Sequence, residues 1–212
     1  LIRSERFMRS ALVPQSTNQL LARFRAAKGS ARLSRDELEQ VYWGFHPRFR
    51  FFKTVPRNAR LLDLGANAGG LAQWRGWGLP DRSDISMYGV DLASGEFSHL
   101  YADWESLNLD DDMPSFPGVI FDSFLCSHLI EHIERPEELI GWMAKKSVPG
   151  ARLYLEWPNV TSLDLPSRSE LVEGGWPIMI SNFHDDDTHI RLKSLEEISE
   201  LVTASGFEIV ES

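Results

Sequence analysis

His128, Glu131 and His132 fall within five positions of one another, and their residue types suit moving protons. At i, i+3 and i+4 they share one face if a helical turn carries them. An imidazole so placed can take the proton of a weak nucleophile such as a hydroxyl, as a group transfer to oxygen requires. A packed, hydrogen-bonded structural cluster is the other reading of the same three residues. The spelling His-x-x-Glu-His also matches an inverted zinc-protease motif. Those ligands need a long helix, whereas this trio follows an apolar run over residues 119–126. A second polar segment, residues 182–191, holds Asp185, Asp186, Asp187 and His189; as composition, such an acidic run is a solvated loop.

Three further acids stand where ligands are held in parallel sheets. Asp63 lies two residues before Gly65 in Leu-Leu-Asp-Leu-Gly-Ala-Asn-Ala-Gly-Gly, residues 61–70. This reads as a buried strand entering a glycine-rich turn, where backbone can approach a ligand closely and offer it unpaired N–H groups. An acid at that mouth repels a pyrophosphate and attracts an ammonium group or a ribose hydroxyl, which points to a cationic nucleoside such as S-adenosylmethionine. Asp91 closes a second strand and can accept both ribose hydroxyls. Asp103, followed by Trp104, closes a third; a carboxylate can accept the exocyclic amine of adenine while the aromatic covers its ring.

The elements that must position these residues follow from the pattern. Strands are expected over residues 60–64, 87–91, 97–102, 119–126, 151–156 and 207–211, alternating with helices. Pro136 with Glu137 and Glu138 starts one helix, and Ser194 with Glu197 caps another that Gly206 ends. Such alternation gives an α/β fold, a doubly wound, mainly parallel sheet with helices on both faces, and ligands outside the carboxyl ends of the strands. Residues 1–55 form an N-terminal helical extension: Leu20, Leu21 and Phe24 at helical spacing, a stop at Gly29, and a capping box from Ser34 to Glu37. Tyr42, Trp43, Phe45, Phe49, Phe51 and Phe52 then read as a hydrophobic lid or as a wall of the acceptor pocket.

The chain has 212 residues, 42% of them hydrophobic and 11% aromatic, enough for one well-packed domain over residues 56–212. A net charge of −9 argues against a nucleic-acid binder. The single cysteine, Cys126, suits a reducing, cytoplasmic setting. No apolar run reaches the roughly 18 residues a membrane span needs. The chain opens on Leu1 without an initiator methionine or a signal-peptide core, so it reads as a fragment.

Over residues 55–211 this pattern resembles the class I S-adenosylmethionine-dependent methyltransferases, which have a Rossmann-like fold. Besides the three acids, residues 121–132 resemble their fourth-strand motif with its Glu-His pair, and residues 148–153 the turn into the fifth strand. The resemblance implies that Asp63 and the turn with Gly65, Ala66, Asn67 and Gly69 hold the methionine moiety. It places Asp91 and Leu92 on the ribose side and Asp103 and Trp104 on the adenine, with Ser127 also at the cofactor. Asn67 stands where many relatives have glycine and tolerates left-handed backbone. The helix after the turn should end early around Gly76, and the family's last antiparallel strand is missing.

Residues 187–191, Asp-Thr-His-Ile-Arg, resemble a segment of methyltransferases from bacterial polysaccharide biosynthesis, with Asp186-Asp187 in place of Asp-Pro. That implies a sugar or glycan-linked acceptor, with His189 as a base and Arg191 as an anion or sugar clamp. His128, Glu131, His132 and His189 together resemble the metal set of methyltransferases acting on small-RNA ends. A divalent metal is thereby possible but not favoured, since His128 replaces an acid. The catalytic set is then His189, His132, His128, Glu131 and Arg191, with S-adenosylmethionine as cofactor. A non-catalytic binding module and a nicotinamide-dependent oxidoreductase are the alternatives, the latter weakened by Asp63 and by the lack of a Tyr-x-x-x-Lys pair.

Overall fold

The central strand β1 (Arg60–Leu64) is buried on both faces: Leu61, Leu62 and Leu64 are fully enclosed. Near-continuous burial of this kind is the signature of a parallel strand covered on both sides. The computed structural model describes residues 35–176 and 180–210. Around β1 lie β2 (Ser86–Asp91), β3 (Asp103–Ser106), β4 (Phe121–Ser127) and β5 (Ser147–Glu156), in the order β3-β2-β1-β4-β5 and all parallel. The order reverses between β1 and β4, so their carboxyl ends form the switch point where an open α/β sheet holds its ligand.

Leu62 and Leu64 face a cluster with Val90, Phe124 and Cys126. Helix α3 (Pro136–Lys145) covers it with Leu139, Ile140 and Met143, and α5 (Leu195–Ala204) with Ile198 and Val202. The caps are those the sequence announces: Pro136 at the start of α3, and at α5 a capping box between Ser194 and Glu197. Leu61 faces the other way, with Met87 and Ala72, against Phe51 and Phe52 of α2 (Pro47–Thr54), which follows α1 (Arg35–Phe45). The sheet is therefore Rossmann-like and covered on both faces. Phe51 and Phe52 take the packing role expected of the aromatic run, while Phe49 stacks on Trp74 at 3.6 Å in a more exposed cluster with Tyr42 and Trp77. The helix expected around Leu20 and the Ser34 cap lie outside the described residues.

Four local expectations change or sharpen. The segment after the glycine turn ends early, as a short 3₁₀ helix (Gly70–Arg75). Residues 97–102 do not form the third strand: they hold a 3₁₀ turn (Ser98–Leu100), and β3 begins at Asp103. The reason is that this backbone is satisfied by the turn beside it, with Phe97 N–H donating to Ala68 O at 2.8 Å, and that Tyr101 turns inward. Strand β5 starts at Ser147, four residues early, and takes up residues 148–150 as an irregularity against β4. Residues 207–210 carry no strand; their neighbours Glu211 and Ser212 lie outside the described residues. A short helix, α4 (Arg168–Glu173), precedes the polar segment.

Candidate active site

At the end of β1 the chain turns through Gly65 (φ 69°), Asn67 (φ 50°) and Gly69 (φ 79°). A Cβ on Gly69 would lie 3.1 Å from both the Phe97 backbone and the Tyr101 ring, so that position needs glycine. The N–H groups of Gly65 and Ala66 donate to Val90 O at 2.9 and 3.0 Å, that of Gly69 to Ala66 O at 2.8 Å, and that of Asn67 to Asp91 Oδ2 at 2.7 Å. These four donors are spent inside the protein, a correction to the row of unpaired N–H groups expected here. The turn offers close backbone approach rather than a phosphate cradle.

Asp63 lies beneath this turn, 3% exposed, and accepts a hydrogen bond from Tyr101 Oη at 2.6 Å. Burial pushes its carboxyl up to about 7, against the pull of Tyr101 and of the Arg48 charge. Asp91 binds Leu92 N–H through Oδ1 at 2.7 Å in addition to its Asn67 contact. A carboxylate has about four acceptor sites, so lone pairs remain for hydroxyls. Leu92 beside it is 73% exposed.

Asp103 is displaced from its expected place. It pairs in register with Tyr88, while Ser106 pairs with Asp91. Asp103 therefore sits at the amino end of β3, roughly 10 Å short of the carboxyl edge at the rise of a strand. Trp104 is not at that edge either: a Cβ on Gly89 would lie 2.3 Å from its ring, and its Nε1 is buried without a partner. The residues just past β3 are Leu107 and the exposed Asn108.

Strand β4 delivers His128 in a left-handed conformation, φ 52°, which costs energy for a side chain of this kind. Its Nδ1 lies 3.3 Å from Glu131 Oε1 and its Nε2 3.8 Å from Glu156 Oε1, with the ring about half exposed. The Glu131 hydrogen bond raises the His128 pKa, burial opposes it, and the Glu131 and Glu156 charges add to the rise. Glu131 is 2% exposed and its Oε2 lacks a hydrogen-bond partner. Its carbonyl accepts from Ile190 N–H at 2.9 Å, fastening the polar segment to the site.

His189 donates from Nδ1 to Phe183 O at 2.6 Å and places Nε2 4.0 Å from Glu131 Oε1, its side chain 6% exposed. Both of its nitrogens therefore face protein. His132 meets Thr188 through Nδ1, at 3.1 Å to the carbonyl and 3.0 Å to Oγ1. Ligand atoms of Glu131, His132 and His189 lie within 4.8 Å of one another, a group that could hold a divalent ion. Next to Thr188 a cavity of about 450 Å³ is lined by Arg168, Ile180, Asp185, Asp186 and Asp187.

A family model described as a methyltransferase domain matches residues 36–212. The chain belongs to this methyltransferase family. Among solved structures, a putative methyltransferase from Bacillus halodurans is 15% identical with a TM-score of 0.53, over 76% of this chain and 67% of that one. The putative methyltransferase of Haloferax volcanii, in complex with the Trm112 methyltransferase activator, is 17% identical with a TM-score of 0.52, over 93% and 78%. The [4+2]-cyclase SpnF is 19% identical with a TM-score of 0.51, over 83% and 59%. A search of curated proteins returns no match.

In this methyltransferase the structure brings together His128, Glu131, His132 and His189, and separately Asp63, the glycine turn, Asp91 and Leu92. Arg191 is not in the cluster, because its guanidinium turns out to Glu197 on α5 at 3.2 Å. Ser127 spends its hydroxyl on Glu156 Oε2 at 2.8 Å. Sequence reasoning missed Tyr101, Arg48 and Glu156. Glu156 ends a strand the sequence already indicated, so the strand-end rule applied to β5 would have found it.

Proposed function

We propose that this chain methylates an oxygen acceptor, a sugar or a sugar-linked intermediate of a cell-surface glycan, with S-adenosylmethionine as donor. The observation that carries the reading is a buried acid, Asp63, under a glycine turn in which the N–H groups of Gly65, Ala66, Asn67 and Gly69 are already spent. A dinucleotide would require those donors for its pyrophosphate; an ammonium and a sulfonium require the acid instead. When bound, the donor supplies an electrophilic methyl group. Asp63 faces the methionine end, Asp91 accepts the ribose hydroxyls, and Leu92 lies against the base. His128 takes the acceptor proton while Glu131 orients it and steadies its charge; His132 and His189 brace Glu131 and the polar segment. This reading uses no metal ion.

A nicotinamide-dependent oxidoreductase fits poorly, for the same reason that the donor reading fits well. A similar fold carries a [4+2]-cyclase, so the fold alone does not decide the reaction. Among the described residues no helix is long and apolar enough to cross a membrane, and the buried free thiol of Cys126 fits a cytoplasmic setting. The test is calorimetry with S-adenosylhomocysteine, followed by transfer of a radiolabelled methyl group to a panel of acceptors. Micromolar binding and labelling of a glycoside are expected. A chain that binds no S-adenosylhomocysteine sinks the reading.

A further inference from the structure

Glu156 closes β5 beside His128, and the proton transfer described above leaves it without a task. Two neighbouring elements fix its carboxylate. Arg48 of α2 reaches Oε2 through Nε at 3.1 Å and Nη2 at 3.0 Å, and Ser127 of β4 donates to the same oxygen at 2.8 Å. Pinning a charge this way is expensive unless its position matters, because both partners must be ordered. The pair nevertheless stays open to ligand, the two side chains being 38% and 33% exposed. Oε1 faces His128 Nε2 at 3.8 Å, beyond hydrogen-bond length but close enough for two adjacent hydroxyls to donate one to each. Arg48 uses Nε and Nη2 in the pair and keeps Nη1 outside it. Glu156 neutralises Arg48, and Glu131 adds a further carboxylate, so an anionic acceptor is disfavoured here.

We propose that Glu156 is the acceptor-positioning residue, and that with Arg48 it selects a neutral vicinal diol. One hydroxyl donates to His128 Nε2; its neighbour donates to Glu156 Oε1 and accepts from Arg48 Nη1. As the new O–C bond forms and the C–S bond breaks, the hydroxyl proton passes to His128 Nε2 and the C–S electron pair stays on sulfur. The inference rests on the methyl-transfer reading above.

The test uses the full chain saturated with S-adenosylhomocysteine and follows the His128 ring signal by NMR. The probes are the methyl glycosides of glucose, galactose, mannose and rhamnose, with cyclohexanol and cyclohexylamine as a lone hydroxyl and a cation. At least one glycoside should move the signal saturably. In Glu156→Gln its apparent affinity should fall at least tenfold, with S-adenosylhomocysteine affinity within twofold of the parent, which also reports an intact fold. Glu156→Asp, one methylene shorter, should behave alike if the Gln variant does not fold. The proposal is overturned if S-adenosylhomocysteine binds but no glycoside moves His128, if cyclohexanol or cyclohexylamine does as well as the glycosides, or if the variants bind glycoside like the parent. Failure of the parent protein to bind S-adenosylhomocysteine is a different result, and it removes the underlying donor reading.

Discussion

Tyr101 donates its phenolic hydrogen to Asp63 Oδ2 across 2.6 Å, tying the loop before β3 to the floor of the glycine turn. Burial raises the Asp63 carboxyl to about 7, and the same contact, with burial leading, drives the phenol well above its ordinary range. An unfolded aspartate titrates near 3.9. The native chain therefore holds a proton that the unfolded chain has lost. Its stabilising contribution is whole below about pH 4 and gone above about pH 7, a change of about 4 kcal/mol. Asp63→Asn removes the buried charge and still accepts from Tyr101. Without ligand at pH 8 it should melt several degrees higher than the parent, while S-adenosylhomocysteine affinity falls at least tenfold for want of a counter-charge. A lower melting temperature at pH 8 would contradict this account.

Asp91 joins the strand end to the turn through Asn67 N–H at 2.7 Å, so it orders the loop as well as facing the ligand. Hydrogen bonds to a charged group contribute about 1.5–3 kcal/mol each. Losing two to a ribose should weaken S-adenosylhomocysteine by about 100-fold or more in Asp91→Ala, at about 1.4 kcal/mol per factor of ten. Calorimetry that finds the affinity unchanged removes Asp91 from the site.

How much was legible in the sequence follows from where the information lies. β1, β2 and β4 were readable because buried parallel strands are short apolar runs, and Asp63, Asp91 and Glu131 because they stand at fixed offsets from those runs. Asp103 was misplaced because residues 97–102 have strand-like composition. What holds them is the glycine turn, where Phe97 N–H donates to Ala68 O and a Cβ on Gly95 would lie 2.4 Å from Asn67 O, long-range contacts invisible to a local pattern. Arg48 was invisible for a similar reason: it meets Glu156 across 108 residues. The backbone carries His189 and Arg191 past Glu131, since Ile190 and Arg191 N–H both donate to its carbonyl. Side-chain direction then separated them, His189 inward and Arg191 outward to Glu197.

Lys53 shows what the aromatic extension contributes to stability. The residue is 2% exposed, and its ammonium contacts the carbonyls of Trp77, Gly78 at 3.2 Å, Pro80 at 3.1 Å and Arg75 at 3.5 Å. Burial lowers its pKa to about 8, with the Asp81 charge opposing. Arg75 O also accepts from Arg82 N–H at 2.8 Å, so it is the carbonyls of Trp77, Gly78 and Pro80 that depend on the ammonium, and a buried acceptor left unsatisfied costs about 1–3 kcal/mol. Lys53→Met should lose about 3 kcal/mol in urea unfolding and loosen the Trp74–Trp77 contact, read as a red shift in tryptophan emission. Unchanged stability would show the ammonium to be dispensable.

Glu131→Gln tests the direction of the proton. Glu131's hydrogen bond is the largest cause of the raised His128 pKa, with Glu156's charge assisting and burial and Arg48 opposing. A base must be neutral to accept, so kcat/KM should rise with pH through the His128 titration, on a limb lying above the ordinary histidine value of about 6.5. The stabilising effect of the same shift is whole below that value and lost as pH rises through the native one. Gln keeps the shape of Glu131 but removes its charge. The plateau of kcat/KM should fall, by roughly 10²-fold if general-base assistance is lost, while the limb moves to lower pH. At pH 6 the variant then shows a larger fraction of its own plateau than the parent does. A pH–rate series on both proteins measures this, and a limb that stays in place or moves up would take His128 out of the role of base and leave Glu131 a packing residue.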